Sequence, residues 1–210
     1  MDGRVVGRGC LALMLHVVYK GRALPLAWRV RQSPTGPWPE ARQSAMVELR
    51  SPGLPARAQG VFWGDGECAG TALQAPLRTV GWAAVCHTAM RTIATWEGET
   101  LRLDVVGACR QPGRLMERKE VSRTREAYGP VMGLGGWATG YQEPLYRVRK
   151  LAPAEEACPW YQKRCRIATF FSAQTSRGFH IHQSHIADPQ RRAVMKSGVS
   201  IDFPKMFRAP

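Results

Sequence analysis

An apolar run over 10–18, rich in Leu and Val, predicts a buried strand. A turn centred on Gly21 follows, and 23–30 predicts a second strand, so the two strands form a hairpin. Pro25 in the second strand indicates an edge position or a bulge. Residues 40–50 predict a helix that ends at the Ser-Pro-Gly sequence after it.

Further strands and helices are expected beyond this helix. Short strands are predicted at 61–63 and 82–86, with a helix over 70–80 between them that contains Pro76. The first strand stops at Gly64-Asp-Gly, where glycine allows a tight turn. This order of strands and helices predicts an α/β or α+β sheet.

The segment 91–150 differs from the rest because it contains short β-like pieces, many glycines and a charged run at 116–125. We therefore predict a β-rich insertion there, with the charged run forming a solvated face or, alternatively, a DNA contact. From 153 to 177 the pattern is helical, and Pro159 is expected to restart or kink that helix. No helix is expected over 198–210.

The composition adds a strong positive charge to this picture. The 210 residues include 30 Lys and Arg against 16 Asp and Glu, which gives a net charge of +14. Of the cations, 24 are arginines, whose planar guanidinium suits phosphate, so a polyanionic partner is one interpretation. A basic solvated surface, or coding bias towards Arg, is the other. The hydrophobic content of 44% permits a packed core and excludes a wholly disordered chain.

The cysteines and the apolar runs predict the cellular compartment. The six cysteines stand at 10, 68, 86, 109, 158 and 165. None forms a C-x-x-C pair and no secretory signal precedes them, so free intracellular thiols are expected. The longest apolar run falls far short of the roughly 20 residues that a membrane span needs. We expect a cytoplasmic protein with no membrane partner.

The last predicted helix contains a string with a distinctive spacing. Tyr161, Arg164, Ala168 and Thr175 follow one another at steps of 3, 4 and 7, which places them on one face of a helix. The string closely resembles the Y-(2)-R-(3)-E-(6)-K signature of transposases in the insertion-sequence-four family of DDE enzymes. Tyr161 and Arg164 match the signature, whereas its Glu falls on Ala168 and its Lys on Thr175.

Other segments resemble the same family and occur in the family's order over about 2–192. They are the first-acid segment Asp2-Gly-Arg-Val-Val-Gly-Arg-Gly9, the hairpin 18–28, the second-acid turn Gly64-Asp65-Gly-Glu-Cys68, the strand at 81–86, the insertion 91–150 and the tail 177–185. The resemblance implies an α/β fold with an RNase H-like mixed sheet and a β-rich insertion. It divides the chain into four parts, namely a first part of the catalytic core (1–90), the insertion (91–150), the rest of the core with the signature helix (151–192) and a diverged tail (193–210).

The family's chemistry would depend on three carboxylates. They hold two divalent cations, Mg²⁺ or Mn²⁺, that activate the nucleophile and stabilise the leaving oxygen. The resemblance implies that Asp2 and Asp65 are catalytic metal ligands, while Ala168 occupies the third position and cannot bind metal. We therefore expect a DDE transposase-like protein for DNA transposition that is catalytically impaired.

The resemblance also implies partners. DNA, as element ends and as target, is the expected partner, and dimerisation is possible. Tyr161, Arg164, Thr175 and Arg177 are the implied DNA contacts.

Several positions depart from the family pattern. Cys68 stands where Phe is usual and His87 where Arg is expected. The apolar strand before Asp2, the N-terminal recognition region and the apolar helix after about Arg192 have no counterpart in the sequence. These departures predict a truncated, decayed transposase copy that is only marginally stable.

Alternative interpretations remain open at this stage. The chain could be a non-catalytic basic nucleic-acid binder or an inert remnant, and residue 168 separates these from the enzyme. Asp65 could be only a turn residue, and Glu67 could replace it as a ligand. The spacing His180-x-His182-x-x-His185 is compatible with a zinc hydrolase if the first two histidines share one face of a strand. Four tryptophans are expected in the core, at positions 28, 63, 82 and 160.

Overall fold

The computed structural model describes residues 1–50, 60–89, 91–106, 113, 115–123, 128–137, 145–149, 163–175 and 177–196. In chain order, its strands and helices are β1 (Asp2–Gly7), β2 (Cys10–Tyr19), β3 (Arg22–Gln32), α1 (Glu40–Arg50), β4 (Val61–Gly64), α2 (Thr71–Thr79), β5 (Ala83–His87), β6 (Ile93–Trp96), β7 (Glu99–Arg102), α3 (Leu103–Val106), β8 (Leu115–Arg123), β9 (Tyr128–Gly136), β10 (Leu145–Arg149), α4 (Cys165–Gln174) and α5 (189–196). The described residues form a mixed α/β structure with two sheets. It divides into two compact units, of which the first contains 1–56 and 162–210 and the second contains 57–161.

The first unit contains an antiparallel sheet in the order β1-β2-β3. The predicted hairpin is confirmed, with Gly21 in the left-handed region (φ +75°) at its turn. Consecutive residues of β2 from Leu11 to Leu15 are buried, so both faces of this central strand are covered. The register of β2 and β3 shifts where His16 pairs with Pro25, and β3 is an edge strand, as the proline indicated.

Strand β1 was not predicted from the sequence. Its residues DGRVVG include two glycines and only two apolar side chains, which is a weak strand pattern. The strand forms because it pairs with β2, from Asp2 opposite Met14 to Val5 opposite Leu11. This pairing stabilises the strand despite its weak local pattern. Gly7 ends the strand at φ +98°, and a Cβ there would lie 2.4 Å from the His182 carbonyl oxygen. Only glycine permits this close approach.

The first sheet is covered by α4. Ile167, Phe170 and Phe171 follow helical spacing and pack with Met14 and Ala23 in one buried cluster. Trp28 packs against this cluster, as expected for a core tryptophan, while position 160 lies outside the described residues. The predicted helix over 153–177 corresponds to α4 in its described part, and the segment around Pro159 lies outside it.

The second unit contains a seven-stranded sheet in the order β4-β5-β10-β9-β8-β6-β7. Strands β4 and β5 are parallel and are joined through α2, and the other pairs are antiparallel. The predicted strands and the helix through Pro76 are confirmed here. The tryptophans at 63 and 82 are half-buried rather than fully buried.

The segment 91–150 is rich in strands, as predicted. One of its β-like pieces, the run that begins at Leu101, is a strand only in its first part. The run from Leu101 begins in β7 and then turns into the helix α3 at Leu103. Leu103 is only 2% exposed, so the helix begins with a buried side chain. The apolar pattern of the run alone did not indicate this change from strand to helix. Among the described residues, no helix combines the length and the apolar character that crossing a membrane requires.

Candidate functional site

Asp2 lies on β1 and is paired with a cation from α4. Its side chain is 9% exposed, and its Oδ1 lies 3.3 Å from Nη2 of Arg164, which stands at the N-terminal end of that helix. A carboxylate taken out of water needs a charge or hydrogen-bond partner, and the guanidinium supplies both. The predicted DNA contact Arg164 is thus engaged inside the first unit.

The other signature positions lie along or just after the same helix. Ala168 is exposed and lies one turn beyond Arg164, so a longer side chain at 168 would lie on the same helix face. Thr175 follows the helix, and its hydroxyl donates to the Phe171 carbonyl oxygen at 2.9 Å, a bond within the last turn. Arg177 is exposed just beyond. Tyr161 lies outside the described residues.

Asp65 follows β4 in the second unit and caps a short 3-10 turn, Gly66–Cys68. Its Oδ1 accepts the backbone N–H of Glu67 at 3.1 Å. The turn is so tight that a Cβ on Gly64 would lie only 2.5 Å from the Cβ of Cys68. Burial raises the pKa of the Cys68 thiol, with the nearby Asp65 carboxylate adding to the effect. The local geometry therefore matches the interpretation of Asp65 as a turn residue.

The described donor set does not fit a resident two-metal centre. Such a centre needs clustered oxygen ligands, and no group of three His, Cys, Asp or Glu among the described residues could hold a metal ion. Asp2 pairs with Arg164, Ala168 offers no ligand, and Asp65 accepts a hydrogen bond from its own turn.

The histidine-rich tail does not form the strand that the zinc alternative required. Ile181–Gln183 is a 3-10 turn, and His180 before it has a left-handed backbone (φ +47°). The rings of His180 and His182 lie 6.0 Å apart, and Nδ1 of His185 is 2.6 Å from the guanidinium of Arg8. His180 and His182 therefore do not share one face of a strand, which was the condition of that alternative.

Helix α5 contributes a buried arginine that the sequence pattern did not reveal. Arg192 is completely buried and donates to four backbone carbonyl oxygens, those of Val6, Ile181, Ser184 and Ile186. These bonds join β1, the 3-10 turn and the segment after it. The predicted boundary at 192/193 falls inside this helix, and the only sequence signal was the four-residue spacing of Arg192 and Lys196.

Lys196 and His16 form a second buried basic cluster in the first unit. Nζ of Lys196 donates to Oε1 of Gln174 and lies 5.0 Å from the Phe171 ring centroid. Burial, together with the charge of Arg192, lowers the pKa of Lys196 to about 7.

The imidazole of His16 lies beside this lysine among aromatic rings. Its centroid is 4.7 Å from that of Phe170, and neither ring nitrogen has a hydrogen-bond partner among the described residues. Burial, the N-terminal charge and Lys196 hold the pKa of His16 well below its usual value. His16 is therefore a buried core residue whose surroundings disfavour its charged form.

The thiols of the described residues are free. Cys10, Cys68 and Cys86 are buried, and Cys165 is exposed on α4. Cys86 lies next to Cys68 in the fold, and its Sγ donates to the Cys68 carbonyl oxygen at 3.4 Å. The three buried cysteines fill core space, and no metal cluster forms among the described residues.

Comparison with protein-family models and with curated proteins gives no match to the chain. The resemblance to DDE transposases therefore rests on the order and spacing of the quoted segments.

Proposed function

We propose that this chain is a DDE transposase-like protein with an RNase H-like core that binds DNA but does not cleave it. The observation that carries the proposal is the pair formed by Asp2 and Arg164, with Ala168 one helical turn further on. The first-acid and signature segments, far apart in sequence, meet here, which supports the family assignment. The same pair supports the absence of cleavage in this proposal, since the carboxylate faces a cation and position 168 offers no third carboxylate.

The arrangement of strands also supports an RNase H-like core. The first acid lies on a strand of an antiparallel three-stranded sheet, and the signature helix packs on that sheet. The second acid follows a strand that is parallel to its neighbour and connected through a helix.

DNA binding is supported by charge rather than by a recognition element. The net charge is +14, and Arg166 and Arg177 are exposed on and just after the signature helix. Guanidinium groups neutralise phosphates and release counterions, which gives affinity with little sequence preference. A non-specific dissociation constant of about 10⁻⁴–10⁻⁶ M is expected at physiological salt.

The test combines a binding assay with a cleavage assay on the purified chain. We expect fluorescence anisotropy to show duplex binding that weakens steeply from 50 to 200 mM salt, by about 0.9 log units per log unit of salt for each phosphate contacted. Supercoiled plasmid incubated with Mg²⁺ or Mn²⁺ should remain uncut. Nicking that Asp65→Ala abolishes would overturn the proposal, and so would a lack of DNA binding.

A gain-of-function variant sharpens the cleavage assay. Ala168→Glu with Thr175→Lys restores both signature residues, and Ala168→Gln with the same second change is the matched control without the carboxylate. Because metal-dependent cleavage requires the charged ligand, only the Glu variant could acquire nicking. Equal nicking by both variants would point to a contaminating nuclease and would remove support from the assignment.

A further inference from the structure

A groove in the first unit is lined by arginines and tryptophans that the proposed core does not use. Its volume is about 590 Å³, and it lies between β3, the segment 33–39, the start of α1 and the start of α5. The residues that matter here are Trp28, Arg29, Arg31, Trp38, Arg42 and Gln190.

The unpartnered polar atoms of these lining residues are hydrogen-bond donors. Trp38 is only 5% exposed, and its indole Nε1 has no acceptor among the described residues. Nε of Arg31 is also buried without an acceptor there. Buried donors are normally satisfied, so an acceptor from outside this set of residues is expected.

The Arg31 guanidinium is held in place before any ligand arrives. Its Nη2 donates to the carbonyl oxygens of Pro37 at 2.9 Å and Gly36 at 3.4 Å, and its Cζ lies 4.8 Å from the Trp38 ring centroid. A group fixed in this way loses little conformational entropy when it binds, which favours recognition.

The charge of the groove is positive and uncompensated. Arg29 and Arg42 are exposed at its rim, and no carboxylate of the described residues pairs with either of them or with Arg31. Three guanidinium groups and two unpartnered N–H donors specify a ligand that is both anionic and rich in acceptor oxygens.

An apolar pocket continues from the groove and shares Trp28 and Arg29 with it. This pocket has a volume of about 350 Å³, and Met46 and the exposed Leu49 also line it. A ligand with a charged backbone and a less polar attached group would fill both parts, as sugar–phosphate with its base does. A single inorganic phosphate would fill neither.

We propose that this groove binds the phosphodiester backbone of DNA, with phosphate oxygens accepting from Arg29, Arg42 and the Trp38 indole. The identification of the polyanion as DNA rests on the proposed function. In this proposal the groove holds DNA within the first unit. The Asp2–Arg164 pair does not take part in DNA cleavage.

The test compares two variants of equal charge. Arg29→Gln with Arg42→Gln removes the rim cations, both exposed, so the fold should persist. Lys20→Gln with Arg91→Gln removes two exposed cations elsewhere and is the matched control. We expect roughly tenfold weaker duplex binding for the groove variant and a salt slope smaller by about 2, since each phosphate contact contributes about 0.9. The control should lose less than twofold.

A third variant isolates the buried donor. Trp38→Phe keeps an aromatic ring under Arg31 but removes the N–H, so affinity should fall several-fold with the salt slope almost unchanged. Equal losses in the groove and control variants would overturn the groove while leaving general DNA binding, and hence the proposed function, intact.

Competition distinguishes the sources of the anion. Inorganic phosphate and polyglutamate are added to the DNA complex, and neither should compete at matched charge if the backbone is the ligand. Competition by polyglutamate as strong as by unlabelled DNA would instead assign the groove to an acidic peptide. If the wild-type chain binds no DNA, the proposed function fails. Calorimetry with polyglutamate then decides the groove: heat lost only in the groove variant would assign it to an acidic peptide, and equal heat in both variants would remove it.

Discussion

Asp2 and Asp65 resemble the first two acids of one catalytic set, yet their surroundings differ. The Asp2 side chain is 9% exposed, lies on a strand and faces the guanidinium of Arg164 at 3.3 Å. Asp65 is half-buried after a strand, and its carboxylate accepts a backbone N–H of its own turn. The first region depends on cations distant in sequence, the half-buried Arg164 and the buried Arg192, and the second on local backbone geometry. The comparison teaches that the groups around an aspartate determine its role more than its place in a sequence pattern does.

The largest effect should come from Arg192, which holds the Asp2 region together. Arg192→Ala removes a donor from four carbonyl oxygens, of which those of Val6 and Ile181 accept in buried contacts and those of Ser184 and Ile186 in partly buried ones. Unsatisfied buried groups and lost packing should lower the free energy of unfolding by about 3–5 kcal/mol. Urea denaturation measures this loss.

The neighbouring arginine is the control for that change. Arg191 is exposed, so Arg191→Ala should change the free energy of unfolding by less than about 0.5 kcal/mol. Similar losses from both substitutions would show that Arg192 does not join β1 to the tail.

The Asp2–Arg164 pair should show strong coupling in a double-mutant cycle. Asp2→Asn leaves the Arg164 guanidinium without its opposite charge, with an expected loss of about 2–3 kcal/mol. Adding Arg164→Gln should cost little more, because the pair is already broken. Additive losses in denaturation experiments would mean that the two side chains do not interact.

Lys196 should make the stability of the protein depend on pH. Its pKa is about 7 in the folded protein and lies near its ordinary 10.5 when unfolded, so between these values the unfolded chain binds more protons. The free energy of unfolding should therefore rise by about 2 kcal/mol from pH 7 to 9. The raised pKa of Cys68 acts in the opposite direction above its ordinary value, so the difference between wild type and Lys196→Met isolates the lysine.

The variant comparison decides this prediction. Lys196→Met should be more stable than wild type at pH 7, with the advantage shrinking as the pH rises. His16 adds to the loss on acidification below about 6.5, because its folded pKa is lower still. A constant difference between wild type and Lys196→Met across pH 7–9 would contradict the account.

The smallest effect is expected at Asp65. Asp65→Ala removes one acceptor from a short turn, which should cost about 0.5–1 kcal/mol. Asp65→Asn keeps the acceptor oxygen and should cost less, as measured by thermal unfolding of both variants. A loss as large as that of Asp2→Asn would erase the contrast between the two acids.

The sequence predicted most elements whose pattern is local. The hairpin around Gly21, the helix α1 and the β4–α2–β5 unit all follow from apolar periodicity and turn residues. The bulge at Pro25 followed from the missing N–H of proline.

The sequence could not predict elements that depend on distant partners. Strand β1 forms because β2 pairs with it, and α5 places Arg192 and Lys196 in the interior because carbonyl oxygens and Gln174 receive them. Their charges favour the surface when only composition is considered. The ion pair joining Asp2 to Arg164 spans 162 positions and has no local signal beyond the family resemblance.

Manganese binding tests the central claim most directly. Asp2 is paired with Arg164 and Ala168 provides no third ligand, so no two-metal centre is expected among the described residues. Electron paramagnetic resonance of free Mn²⁺, titrated against the purified chain with Asp2→Asn and Asp65→Asn as controls, measures it. We predict no site tighter than millimolar and no difference between wild type and either variant. Two Mn²⁺ ions bound per chain at micromolar concentration, and lost in both variants, would contradict the account.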